Sequence, residues 1–212
     1  KNSVVLFSTR LPLLARELAA TPDAVYILSG LESPFDLELL ASFAPDAVKA
    51  YGDLCDDLVK SVGGLPLAIV VAGKMLQREH AAGGDVQELL ETIREDARKL
   101  LTQPVPPDMA DLLNQTTPDV VAVLRRSTSS LSQELKEQFA KLGTYPATPG
   151  VFPLRMVART WKLPPEEAKA TARKFVDLGL INVAKRGHYQ IHPLIRALAL
   201  FEWDQFHEKR KS

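Results

Sequence analysis

The sequence SVGGLPLAIVVAGK, residues 61–74, is the part of the chain from which its organisation can be inferred. The two glycines end a preceding helix, and Pro66 stands where a new helix begins, because a first-turn position has no backbone hydrogen bond to lose. Nearly every side chain from Leu67 to Leu76 is apolar, and a helix that is apolar on all sides is a buried one. We predict a tight turn whose free backbone N–H groups suit an anion or a flat apolar ligand, or, more plainly, a loop leading into a core helix.

Composition bounds the class of protein. The chain has 212 residues, of which 46% are hydrophobic and 25% charged, as in ordinary globular domains. No apolar run approaches the roughly 20 residues that span a bilayer, and the N-terminal KNSVVLF is too short for a signal peptide. Cys55 is the single cysteine, so no internal disulfide can form. We expect a cytoplasmic protein with no membrane partner.

The net charge of zero is unevenly distributed. Residues 1–149 carry 14 basic and 20 acidic side chains, whereas residues 150–212 carry 12 basic and 6 acidic ones. An acidic part is therefore joined to a basic part. Such an asymmetry predicts either attraction between the two parts or contact of the second with a polyanion.

Residues 1–30 have an α/β pattern. Ser3 to Phe7 and Ala24 to Leu28 are short apolar runs that we predict as buried strands, with a helix from Leu13 to Ala20 between them. Two strands are too few for an independent sheet. We therefore expect residues 1–30 to be the end of a larger α/β domain.

From residue 31 the pattern becomes helical. Helices are predicted from Ser33 to the stop at Pro45, from Asp46 to Val62, after Pro66, and from Asp85 to Leu101. Four helices with short connections predict a four-helix bundle over residues 31–102. Three prolines in QPVPPD, residues 103–108, mark a linker that we extend to residue 118.

The last part, residues 119–212, follows another order. A β-hairpin is predicted around the turn Lys185-Arg186-Gly187. Three helices followed by a hairpin is the order of a winged helix. The fold class is therefore mainly α: a bundle and a winged-helix domain after a short α/β remnant. The predicted helices span residues 119–126, 132–142, 154–161 and 165–178, with Gly143 and Gly179 just past two of their ends, and a final helix covers residues 194–206.

Four motifs stand in one order along the chain. They are Ser8-Thr9-Arg10, the turn GLPLA at residues 64–68, the winged-helix pattern opening with LSQELKEQFAKLGTYP at residues 131–146, and IHPLIR at residues 191–196. Together they resemble the C-terminal half of an NB-ARC domain, the nucleotide switch of the STAND signalling ATPases. The resemblance covers essentially the whole chain, and of its motifs GLPLA is the most specific.

The resemblance implies three nucleotide-contacting residues. Arg10 matches the arginine that senses the terminal phosphate, Pro66 the proline that lies against adenine, and His192 the histidine that binds the β-phosphate of ADP. The family's aspartate after that histidine is replaced here by Pro193, so this chain lacks the carboxylate that the family has at this position of the motif.

The resemblance also implies the cofactor and the partners. The cofactor is ADP or ATP, with Mg²⁺, in a full-length protein. The P-loop and Walker B strand are not in this chain, because Gly73-Lys74 fails GxxxxGK[ST] at Ala68 and Met75. We expect no catalytic residue and no ATP hydrolysis by this chain alone. The implied partners are an N-terminal P-loop domain and, on activation, further copies of the same protein.

Other interpretations remain open. A DNA-binding winged helix is the main alternative, because five cations lie on its predicted recognition helix and wing tip. His192 could instead be an ordinary cap of the last helix. His188 and His192 lack a third metal ligand, and no nucleophile-and-base set for a hydrolase is apparent, so we expect neither a metal site nor hydrolysis. The five candidate DNA-contacting cations are Lys169, Arg173, Lys174, Lys185 and Arg186.

Overall fold

A computed structural model of the protein describes residues 5–7, 9, 12–102, 116–146 and 151–208. Within these ranges the chain is mainly helical, with eleven α-helices and one three-stranded antiparallel sheet. The chain divides into two units, residues 1–30 and 31–212. The predicted linker falls mostly on residues 103–115, which lie outside the described residues.

The described residues of the first unit contain one helix, α1 (Pro12–Leu18), and a 3₁₀ turn at Pro22–Ala24. The predicted strand at Ala24 to Leu28 is wrong, and residues 5–7 of the other predicted strand are also without strand structure. Tyr26 and Leu28 are each 86% exposed. A strand forms only when a neighbouring strand accepts its backbone hydrogen bonds, and the described residues of this unit offer none.

The second unit begins with five helices where four were predicted. They are α2 (Phe35–Phe43), α3 (Pro45–Ala50), α4 (Gly52–Ser61), α5 (Pro66–Ala81) and α6 (Val86–Thr102). The single helix predicted from Asp46 to Val62 is broken at Tyr51, whose φ of −132° and ψ of 45° are not helical. Tyr51 ends α3 by donating its N–H to Ala47, and its carbonyl starts α4 by accepting from Cys55. The following Gly52 favours the break, since glycine is a weak helix former.

The central helix α5 is buried as predicted. Its first three turns bury Ala68, Ile69 and the residues from Val71 to Gly73. Gly73 faces α2, and a Cβ added there would lie 2.8 Å from the Cβ of Phe43. The absence of a side chain at this position therefore allows the two helices to pack closely.

The remaining elements confirm the predicted helix and hairpin order and add one strand. Val151–Pro153, a three-residue strand containing proline, has no periodicity that a sequence pattern could reveal. It lies in a sheet of order β1–β3–β2, with Phe152 opposite Tyr189 and Val183 on the other side of Tyr189. The elements are α7 (Pro118–Ser129), α8 (Gln133–Leu142), β1 (Val151–Pro153), α9 (Leu154–Trp161), α10 (Pro165–Asp177), β2 (Asn182–Lys185), β3 (His188–Gln190) and α11 (Pro193–Glu208).

Helix α7 connects α5 and α6 with the C-terminal helix α11. It packs on α5 and α6 on one side and touches α11, whose main neighbour is α8. All side chains from Val120 to Leu124 are buried. Phe175 lies at the centre of an aromatic group, with ring centroids 6.0 Å from Phe139 and 5.7 Å from Trp161.

Cys55 lies in the core of this unit with no exposed surface. Burial raises the pKa of its thiol from 9.0 to about 11, because the thiolate loses hydration in an apolar environment.

At pH 8 we expect Cys55 of the native protein to react with a disulfide reagent such as DTNB about 100-fold more slowly than in urea, since the thiolate is the nucleophile. Because the folded protein holds the thiol proton more tightly than the unfolded chain does, the protonated thiol also contributes to the free energy of unfolding. This contribution is complete below pH 9 and is lost as the pH rises towards 11. Equal rates in the native and unfolded protein would contradict this assignment.

Candidate functional site

The two glycines before Pro66 form a helix-ending turn. Gly63 and Gly64 both have φ of +63°. The N–H of Gly63 donates to the carbonyl of Lys60 at 2.9 Å, and the N–H of Gly64 donates to that of Val59 at 3.0 Å. This pair of hydrogen bonds is a Schellman motif, which satisfies carbonyls that the end of α4 would otherwise leave unpaired.

The same turn is fixed to the start of the second unit. The N–H of Leu31 donates to the carbonyl of Gly64 at 2.8 Å, so two backbone segments run in contact. A Cβ added to Gly64 would lie 2.8 Å from the Leu31 nitrogen and would overlap its carbonyl oxygen. Gly64 is therefore required both by its dihedral angle and by the approach of Leu31.

Pro66 is the first residue of α5 and is exposed. Leu65 precedes it in an extended conformation, and no side chain caps the helix. The first turn of α5 therefore leaves backbone N–H groups without a side-chain acceptor. The predicted free N–H groups of the turn itself are wrong, because Gly63, Gly64 and Leu65 all donate to carbonyls of Val59, Lys60 or Val62. An exposed proline at the start of a buried helix is present.

His192 is exposed and lies directly before α11. The N–H of Leu194 donates to its Nδ1 at 3.2 Å, and its carbonyl accepts from Arg196 at 2.9 Å. The side chain thus caps the first turn of α11, the plainer of the two roles predicted for it. Because Nδ1 accepts this hydrogen bond, the ring orientation is set by the helix.

Two of the three predicted nucleotide contacts, Pro66 and His192, lie at the starts of α5 and α11. Arg10 lies outside the described residues. Pro66 and His192 belong to helices with different principal neighbours, since α5 packs mainly against α2 and α11 mainly against α8.

A connection that the sequence did not predict joins α5 to the end of α10. The ammonium group of Lys74 donates to the carbonyl of Val176, and a Cβ on Gly179 would lie 3.3 Å from Val71. Burial lowers the pKa of Lys74, partly opposed by the charge of Asp177. The available signal was the single cation in the apolar stretch from Leu67 to Leu76, which indicates a buried partner.

All five candidate DNA-contacting cations are exposed. Lys169 lies 4.0 Å from Glu166 in an ion pair on α10. For the other four, the part of the chain that is described holds no carboxylate within ion-pair distance. In the turn between β2 and β3, the carbonyl of Arg186 lies 3.2 Å from Nδ1 of His188.

Comparisons with known proteins give no further assignment: no family model matches the chain, and no curated protein matches it significantly. Within the described ranges, no helix is long and apolar enough to cross a bilayer. The same residues contain no group of three His, Cys, Asp or Glu side chains placed to hold a metal ion.

Proposed function

We propose that the chain is a regulatory module of an NB-ARC-type, nucleotide-dependent switch. In this proposal ADP binds against Pro66, and the α8–α11 region, with its three-stranded sheet, is held to the nucleotide through His192. Exchange of ADP for ATP releases that region and permits oligomerisation. The observation that carries the proposal is the exposed Pro66 at the uncapped start of a buried helix, within the GLPLA motif.

The order of elements after residue 130 supports the proposal. Helix α8 is followed by a strand, two helices and a hairpin, and β1 pairs with β3 across a sheet of order β1–β3–β2. This order and pairing are typical of a winged helix, the last module of the NB-ARC domain. His192 follows the hairpin directly, at the position that the resemblance assigns to the ADP-binding histidine.

The first unit gives a second line of support. Leu6, Tyr26, Ile27 and Leu28 are all more than three-quarters exposed. Apolar side chains in such short runs are the kind that neighbouring strands of an α/β sheet cover. A P-loop domain that contributes those strands would also supply the phosphate-binding loop and the Mg²⁺ ligands.

The proposal can be tested in a full-length protein that contains the P-loop domain. We expect His192→Ala to weaken ADP binding about tenfold or more, since a charge-assisted hydrogen bond to a phosphate is lost. Oligomerisation without a stimulus should increase, because ADP then favours the closed state less. Isothermal titration calorimetry and light scattering measure the two effects.

His188→Ala is the matched control, because His188 lies four residues away on β3 and has no assigned nucleotide contact. It should leave both measurements unchanged. If His192→Ala changes neither ADP affinity nor the oligomeric state, the switch assignment is wrong. Equal effects of the two substitutions would show that both act by disturbing the fold of this region, and would also overturn the switch assignment.

The exposure of four cations without ion-pair partners among the described residues favours one alternative, a DNA-binding winged helix. Arg173 and Lys174 lie on α10, and Lys185 and Arg186 on the hairpin. In that case the chain would shift duplex DNA in a gel, with an affinity that falls steeply with salt. The double substitution of Arg173 and Lys174 by Glu should abolish the shift, whereas a chain without any shift at low salt excludes this alternative.

A further inference from the structure

A cleft of about 350 Å³ opens among α6, α7, α8 and α11, and its charged lining is predominantly cationic. Neither Pro66 nor His192 lines it, so the cleft is independent of the proposed function. Its volume lies within the range of small-molecule sites. The charged residues that line it are Asp96, Lys99, Arg125, Arg126, Lys136 and Glu202.

Three of these cations have no carboxylate partner within the part of the chain that the structure describes. Lys99 lies 3.6 Å from Asp96, whereas no ion pair among the described residues involves Arg125, Arg126 or Lys136. Three like charges around one partly enclosed cleft repel each other, and the surrounding protein screens them less than water does. A bound anion would remove this repulsion.

The other polar groups of the cleft leave anion binding to those cations. The hydroxyl of Thr128 donates to the carbonyl of Arg125 at 2.9 Å, and the hydroxyl of Ser129 donates to that of Arg126 at 2.8 Å. Their hydrogens are therefore already used, whereas the two guanidinium groups keep their planar sets of donors. One guanidinium group can donate to two phosphate oxygens at once, which makes its binding of phosphate more specific than that of an ammonium group.

We propose that this cleft binds a small anion carrying two or more phosphate groups. The two adjacent arginines at the end of α7 and Lys136 on α8 can contact separate phosphate groups. A single phosphate could not bind all three cations at once. The wall that Phe139 and Ala122 contribute is apolar and buried. Glu202 on α11 opposes the binding, because its carboxylate adds negative charge to the same cleft.

Inorganic tripolyphosphate is a suitable probe, with the 212-residue chain studied by isothermal titration calorimetry at 0.15 M salt. We expect the double substitution R125Q/R126Q to weaken binding about tenfold or more, because two charge-assisted contacts are lost. Lys136→Gln, on a different helix, should also weaken it. Glu202→Gln should strengthen binding, a change of opposite sign that a general loss of stability would not produce.

The double substitution R155Q/R159Q is the matched control, since it removes two exposed cations from α9 outside the cleft. It should bind tripolyphosphate as the unmodified chain does. Circular dichroism verifies that each variant is folded. The inference is overturned if the unmodified chain does not bind the probe, if R155Q/R159Q weakens binding as much as R125Q/R126Q, or if Glu202→Gln does not strengthen it.

Discussion

Replacing Gly64 by alanine is expected to lower the free energy of unfolding by about 3 kcal/mol or more. Two costs add at this position. A φ of +63° is unfavourable by about 1 to 2 kcal/mol for a residue with a Cβ. The new methyl group would also lie 2.8 Å from the nitrogen of Leu31 and overlap its carbonyl oxygen, and overpacking costs about 1 to 3 kcal/mol. Urea denaturation followed by circular dichroism measures the change.

Gly63→Ala separates the two costs. Gly63 has the same φ of +63°, but a Cβ there would meet no atom within 4 Å. We expect it to lose only about 1 to 2 kcal/mol, the cost of the dihedral angle alone. Equal losses for the two substitutions would show that the approach of Leu31 contributes nothing, contrary to the packing described above.

Gly143→Ala should be at least as destabilising, by about 3 kcal/mol or more, and for a different reason. Gly143 ends α8 with a φ of −61°, which any residue adopts. A Cβ added there would lie 2.5 Å from the Cα of Leu200 and 2.6 Å from the carbonyl carbon of Ala199. Because these are backbone atoms of α11, no side-chain rotation can relieve the overlap, and α8 and α11 must separate.

Gly52→Ala is the control for Gly143→Ala. Gly52 lies in the first turn of α4, and a Cβ there would meet no atom within 4 Å. We expect no loss of stability and a gain of up to about 1 kcal/mol, since alanine restricts the unfolded chain and favours a helix. A Gly143→Ala protein as stable as Gly52→Ala would contradict the close contact of α8 and α11.

The two glycines after helix ends illustrate what a sequence pattern can reveal. Both Gly143 and Gly179 were predicted just past the end of a helix, and both are there. Gly179 has a φ of +76°, the left-handed conformation for which such glycines are selected. Gly143 instead provides space for the backbone of another helix, and no local pattern distinguishes these two reasons.

The candidate site was predictable to a similar extent. The turn before Pro66 and the cap at His192 depend on residues adjacent in sequence, so the pattern predicted both. Lys74 and the cationic cleft depend on residues from separate helices. Arg125 and Lys136 are unremarkable in sequence, and only the packing of α7 and α8 against α11 places them around one cavity.

The sequence by itself determined the positions of most helices, the hairpin and the turn at residues 63–66. These features depend on hydrophobic periodicity, proline and glycine, which act over a few neighbouring residues. The tertiary structure decided the pairing of Val151–Pro153 with β3 and the absence of a strand at residues 25–28. Both depend on a partner distant in the chain, because a strand is stable only when another strand accepts its hydrogen bonds.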